Sequence, residues 1–243
     1  MKELQEKLRS TIMIRRLKEE VLEDLPPKNR NIIELQGKNA YKLNPEEYSE
    51  AIKKLEEGEI SPDLHWATQR RELGMEKVPF VVSYILEKLE SVPKLVVFAY
   101  HKNVIAAIEK ALTEKGVGVL TITGKTPSSQ RQTIVEAFQT DAHINVFLGN
   151  IRAAGTGVTL TAASNEIFVE QDWNPGMMLQ AEDRCHRIGQ KNSVNIEHLV
   201  FNNSIDAIMA KVLIDKMKIQ EEALDERLDS EIDFFVKEIL GDL

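Results

Sequence analysis

Within Gln180-Ala181-Glu182-Asp183-Arg184-Cys185-His186-Arg187-Ile188-Gly189-Gln190, one glutamine and two arginines recur at the spacing of a helix face. Positions 180, 184 and 187 stand at i, i+4 and i+7, so a helix would carry Gln180, Arg184 and Arg187 side by side. Guanidinium groups stay ionised at every working pH and hold phosphate oxygens in a bidentate fork that lysine does not reproduce. The segment is read as an arginine-finger helix aimed at a phosphate. A solvated charged face is the competing reading, and the rest of the chain weighs against it.

Such side chains need a scaffold. From Val78 onward, short apolar runs at 95–99, 117–122, 144–148, 167–169 and 194–199 alternate with helix-period segments at 102–115, 128–138, 157–163 and 177–187. Nearly continuous hydrophobic strands, each followed by a helix, mark a parallel sheet covered on both faces. The expected fold class is doubly wound α/β, in which ligands bind beyond the carboxyl ends of the strands. The loops there are His101-Lys102-Asn103, Gly124-Lys125-Thr126-Pro127, Gly149 to Leu160 with its Gly155-Thr156-Gly157, and Glu170-Gln171-Asp172-Trp173-Asn174-Pro175. The small residues of the third let backbone approach a ligand, and a helix after it would offer its first amides to phosphate.

Ahead of this region, residues 4–25 place Leu4, Leu8, Ile12, Ile14, Leu17, Val21 and Leu25 at helical spacing up to Pro26-Pro27. Arg15, Arg16 and Lys18 within it read as a solvated face. A short extended piece is expected at 32–35, and Asn44 ahead of Pro45-Glu46-Glu47 is a helix start: a capping residue, a proline, then acids. The charged stretch 58–74 reads as flexible or inserted, with Trp66 there for packing. Residues 204–223 and 230–240 carry apolar stripes expected to pack back on the preceding domain. The expected division is 1–77, 78–203 and 204–243.

Two apparent motifs fail on context. Gly124-Lys125-Thr126 imitates the end of a phosphate-binding P-loop, but position 119, where that motif needs glycine, is valine. Asp225-Glu226 imitates a magnesium-binding pair but lies in an acidic helix-period stretch instead of at the end of an apolar strand. Arginines are present without the phosphate-cradling lysine and metal-holding acid that phosphoryl transfer needs, so the chain reads as half of a site.

Composition narrows the setting. The 243 residues suffice for a substantial core, and a net charge of −8 argues against nucleic-acid binding through bulk charge while leaving room for a local basic groove. Cys185 is the lone cysteine, and the histidines at 65, 101, 143, 186 and 198 lack ligand spacing, so no metal site is expected. With no apolar run of the roughly 18 to 20 residues that a membrane span needs, and no signal peptide, the chain reads as intracellular. The compartment would be the cytoplasm or nucleoid for a prokaryotic or viral source and the nucleus for a eukaryotic one.

Ile12-Met13-Ile14-Arg15-Arg16-Leu17-Lys18, Leu25-Pro26-Pro27-Lys28, Ala154-Gly155-Thr156-Gly157, Asp172-Trp173-Asn174-Pro175 and the Gln180–Gln190 segment resemble, in order and spacing, the second RecA-like lobe of SWI/SNF-type helicase-like ATPases. Within that group the chain is most similar to the HARP-type annealing helicases and their bacterial or phage relatives. The resemblance covers nearly the whole chain except 39–75. It implies a RecA-like lobe of a double-stranded or branched DNA translocase. ATP and Mg²⁺ would be held mainly by a first lobe, and the present chain would begin where that lobe ends and be inactive in hydrolysis without it.

Arg184 and Arg187 would then reach the γ-phosphate, with Gln180 and the Gly155, Thr156 and Gly157 backbone supporting the interface between lobes. Asp183 either orients Arg184 or serves structure. His101, Lys102, Lys125, Thr126 and Thr156 would meet the DNA backbone through contacts that read no sequence. Trp173 is either the aromatic beside the DNA or core packing. The alternative function is a free-standing nucleic-acid-binding or regulatory module without turnover.

Overall fold

The strand at Leu95–Ala99 is buried along its whole length, and its side chains divide between two cores. Val96 and Phe98 join one cluster, while Leu95, Val97 and Ala99 join the other. Alternation of this kind is what a sheet covered on both faces requires. The computed structural model describes residues 22, 24–35, 44–56, 66–155, 157–210 and 213. The expected helix at 4–25 with its Arg15, Arg16 and Lys18, Thr156, Asp225-Glu226 and the stripe at 230–240 lie outside them, apart from a few residues near 25.

In chain order the elements are β1 (Lys28–Glu34), α1 (Pro45–Glu56), α2 (Ala67–Leu89), β2 (Leu95–Ala99), α3 (Lys102–Glu114), β3 (Val119–Ile122) and α4 (Ser128–Thr140). There follow β4 (Val146–Asn150), α5 (Ile151–Ala154), β5 (Asn165–Phe168), α6 (Pro175–Glu182) and β6 (Val194–Val200). Among the described residues the strands form one sheet in the order β1-β6-β5-β2-β4-β3, with every pair parallel. On one face α2 and α3 bury Val81, Val82, Ile85, Val104, Ile105, Ile108 and Leu112. On the other, α4, α5 and α6 bury Val135, Phe138, Ile151, Ala154, Met178 and Ala181. The doubly wound α/β expectation holds, because the apolar runs are too hydrophobic to face water on either side.

Four expectations change. The extended piece near 32–35 is a seven-residue strand from Lys28, in register with β6 from Val194. The stretch read as flexible is helical from Ala67, with Arg70 and Leu73 buried, so α2 runs unbroken across the expected 77/78 boundary. No helix forms at 157–163. There Gln139 satisfies the backbone instead, donating Nε2 to the Thr159 carbonyl at 2.8 Å and accepting the Ala162 N–H at 2.7 Å. Finally, the 177–187 helix stops at Glu182. Asn44 does cap α1 as a capping box, accepting the Glu47 N–H at 2.8 Å while Glu47 accepts the Asn44 N–H at 3.0 Å.

Candidate functional site

Asn174 caps α6 by accepting the Gly176 and Met177 N–H groups, and Pro175 fills the first turn. The helix then carries the chain back along the sheet to Glu182, and residues 183–190 turn towards the start of β6. Gln180, Arg184 and Arg187 therefore do not share a helical face, which corrects the periodicity argument. Local i−4 bonding is outcompeted by tertiary partners. The Cys185 N–H goes to the Glu166 carboxylate at 3.3 Å, and the Leu160 N–H takes the Arg184 carbonyl at 2.9 Å. Gln190 donates Nε2 to the Ala163 carbonyl at 2.8 Å and accepts the Lys191 and Asn192 N–H groups, while Gly189 adopts φ +101°. That left-handed conformation reverses the chain at little cost only for glycine.

The two arginines still feel each other's charge. Arg184 is half-buried, with Nε donating to the Gln180 carbonyl at 2.7 Å and Nη1 to the Val158 carbonyl at 3.3 Å. Burial, and after it the charge of Arg187, lower its pKa, against the opposing pull of Asp183 and Glu166. Arg187 is exposed, and Ile188 beside it is 75% exposed. The result is a cationic tip on a loop whose base is pinned. Cys185 is buried, and burial together with Glu166 pushes its thiol well up, which removes it as a nucleophile and leaves packing.

Beneath the loop lies a buried ionic cluster. Arg30 on β1 forks Glu182, with Nε at 3.0 Å and Nη2 at 2.8 Å, and Lys28 reaches the same carboxylate at 3.2 Å and Asp183 at 3.5 Å. His198 Nε2 stands 3.7 Å from Glu182. Burial alone would raise the Glu182 carboxyl, but Arg30, Lys28 and His198 outweigh it and hold it well below the usual range. At nearby Glu166 burial, joined by the charge of Glu182, outweighs the bonds from Cys185 and the pull of Lys28 and pushes the carboxyl well above that range. His186 meets the Pro26 carbonyl at 2.7 Å.

The loops at the carboxyl ends of the strands form a second cluster. His101 precedes α3, but its N–H and that of Tyr100 donate to Glu170 at 2.8 and 2.9 Å, and its Nδ1 sits 2.6 Å from the same carboxylate. The amide expected to meet a DNA phosphate is thus occupied by Glu170. Burial would raise that carboxyl, yet the bonds from His101 and Tyr100 lower it. Lys102 and Lys125 are exposed, and the Thr126 hydroxyl accepts the Thr123 N–H at 3.0 Å. Gly155 is buried and gives its N–H to the Ile151 carbonyl at 2.9 Å, so it packs instead of opening backbone to a phosphate, whereas Gly157 at φ +75° is exposed. Trp173 is 7% exposed and stacks on Trp66 at 6.3 Å, so its ring faces the interior here.

Residues 76–189 match the helicase conserved C-terminal domain. The chain is 38% identical over 226 residues to the DNA annealing helicase and endonuclease ZRANB3 of Homo sapiens, covering 90% of this chain and 21% of that protein. It is 35% identical over 218 residues to the SWI/SNF-related matrix-associated actin-dependent regulator of chromatin subfamily A-like protein 1 homolog of Caenorhabditis elegans, covering 86% of this chain and 31% of that protein. The chain belongs to the SWI/SNF-related helicase family, as its carboxyl lobe. It thus spans less than a third of the length of either relative. The fold is that of the C-terminal part of the Fun30 ATPase domain, with a TM-score of 0.56 and 19% identity over 88% of this chain and 98% of that one.

Several residues that build this helicase lobe carried no signal in the sequence. Arg131 donates to the carbonyls of Thr126 at 3.2 Å and Ala153 at 2.8 Å, tying the turn after β3 to α5. Arg152 pairs with Asp172 at 2.7 Å and lies over the Tyr100 ring at 5.0 Å, while Arg70 lies over that ring at 4.8 Å. Each links elements far apart in sequence, which spacing does not encode.

Proposed function

We propose that this chain is the carboxyl lobe of an ATP-dependent double-stranded DNA translocase and supplies Arg184 and Arg187 to a nucleotide held mainly by another lobe. The observation that carries this reading is the pinned loop that bears half-buried Arg184, held by the Gln180 and Val158 carbonyls, and exposed Arg187, whose charge Arg184 feels. Two guanidinium groups that repel one another fit a multiply charged anion between them. Among the described residues no group of three or more acidic, histidine or cysteine side chains could hold a metal ion. When bound, MgATP supplies the phosphoryl group whose hydrolysis drives movement. Arg187, exposed, would stabilise charge developing on that group, and Arg184, tethered through Gln180 and Val158, would hold the second position. Lys102, Lys125 and Thr126 lie on the carboxyl-end loops and would take the DNA backbone, with Nε2 of His101 the ring atom not committed to Glu170.

The test is ATP hydrolysis with and without duplex or forked DNA. The 243-residue chain alone is expected to show none above background, and a protein that also carries the nucleotide-binding lobe should show DNA-stimulated turnover. In the latter, Arg187→Ala should lower turnover on the order of 10³-fold or more, the usual worth of an arginine finger. Unchanged turnover in that variant would exclude the assignment; DNA binding without turnover even with both lobes present would favour the free-standing module.

A further inference from the structure

We infer that Arg30 and Lys28, at the start of the sheet's edge strand, are positioning residues for the arginine loop, coupling the placement of the chain around Pro26 to that of Arg184 and Arg187. This rests on the role proposed for those two arginines. Three residues that flank or separate them are held from 26–30: Glu182 by Arg30 and Lys28, Asp183 by Lys28, and His186 by the Pro26 carbonyl. The arginines themselves take other partners or face solvent. The loop is thus gripped from beneath while its tip stays free for a ligand.

The grip is stiff for a physical reason. The Glu182 side chain is 2% exposed, so its carboxylate has no water to retreat to, and the forked Arg30 contact constrains orientation as well as distance. Among the described residues β1 pairs with β6 alone, at the edge of the sheet, with the Pro27 carbonyl accepting the Val194 N–H at 3.0 Å. A shift of the chain leading into that edge strand moves Glu182, Asp183 and His186 with it. Arg184 and Arg187 follow through the backbone.

Two measurements test this. On the 243-residue chain, Arg30→Gln should speed amide hydrogen exchange across 183–190 while leaving β2 and β4 unchanged. With the nucleotide-binding lobe present, the same variant should lower kcat on the order of 10- to 100-fold, as an error of about 1 Å in a catalytic group does, with KM for ATP and DNA affinity little altered. Placed on top of Arg187→Ala it should add less than it costs alone, because part of its effect runs through that residue. Arg30→Lys, which keeps charge but loses the fork, should give the same pattern at smaller size and serves if Arg30→Gln does not fold. An unmoved loop, additive losses in the double variant, or protection lost evenly over the sheet in Arg30→Lys overturns the inference. If Arg187→Ala alone leaves turnover intact, the finger assignment falls instead, and hydrogen exchange still decides whether β1 holds the loop.

Discussion

Replacing Gly74 with alanine sets a helix-propensity gain against a buried carboxylate, and the structure decides the sign. In the interior of a helix alanine is favoured over glycine by about 1 kcal/mol. Here, however, a Cβ on Gly74 would lie 2.5 Å from Glu170 Oε1 and 2.9 Å from Val104 Cγ2. A flexible side chain would swing aside, but Glu170 is pinned by the Tyr100 and His101 N–H groups and by His101 Nδ1. Breaking one such charge-assisted bond costs about 1.5–3 kcal/mol, and residual crowding against Val104 costs about 1–3 kcal/mol. After subtracting the propensity gain, roughly 1.5–5 kcal/mol of destabilisation remains. At about 2–4 °C per kcal/mol for a domain of this size, Tm should fall by roughly 3–20 °C in a thermal melt followed by circular dichroism. A Tm that holds or rises for Gly74→Ala would show that the Glu170 carboxylate is not anchored at the start of α3.

Two further substitutions probe the buried charges. Lys77 is fully buried, donates to the Val169 and Leu199 carbonyls at 2.8 and 2.9 Å and pairs with Asp206, so Lys77→Met should cost about 3–5 kcal/mol in urea unfolding by stranding that acid. Adding Asp206→Leu should recover part of the loss, and a cost below about 1 kcal/mol for the single change would show that the pair is not a structural clamp. Glu166, raised well above the ordinary carboxyl range by burial, penalises folding as pH climbs from its unfolded-state value towards its folded one. Glu166→Gln should therefore be near neutral around pH 4 and increasingly stabilising towards pH 8; a difference from the parent that stays flat across that range refutes a neutral Glu166.

The apolar runs that became β2 to β6 were readable because a strand covered on both faces must be hydrophobic nearly throughout, and the Asn44 cap because capping depends on neighbours three residues away. The helix expected through Arg187 was not, since its continuation depended on Glu166 taking the Cys185 N–H and Gln190 the Cys185 carbonyl. The missing helix at 157–163 has the same origin in Gln139. For His101, the sequence pointed to an exposed helix start, but Glu170, brought there by the neighbouring strand, occupies its amide.

By itself, then, the sequence determined the layered α/β class and the family, and it singled out Arg184 and Arg187, because hydrophobic periodicity and motif spacing are local properties of the chain. Only tertiary structure decided how those arginines are held, which amides are already spent, and that Lys28 and Arg30 grip the arginine loop from more than 150 positions away. Such long-range partners are chosen by burial. Where water is excluded each charge and backbone group must find the counterpart the fold brings near it, and spacing along the chain does not record which one that is.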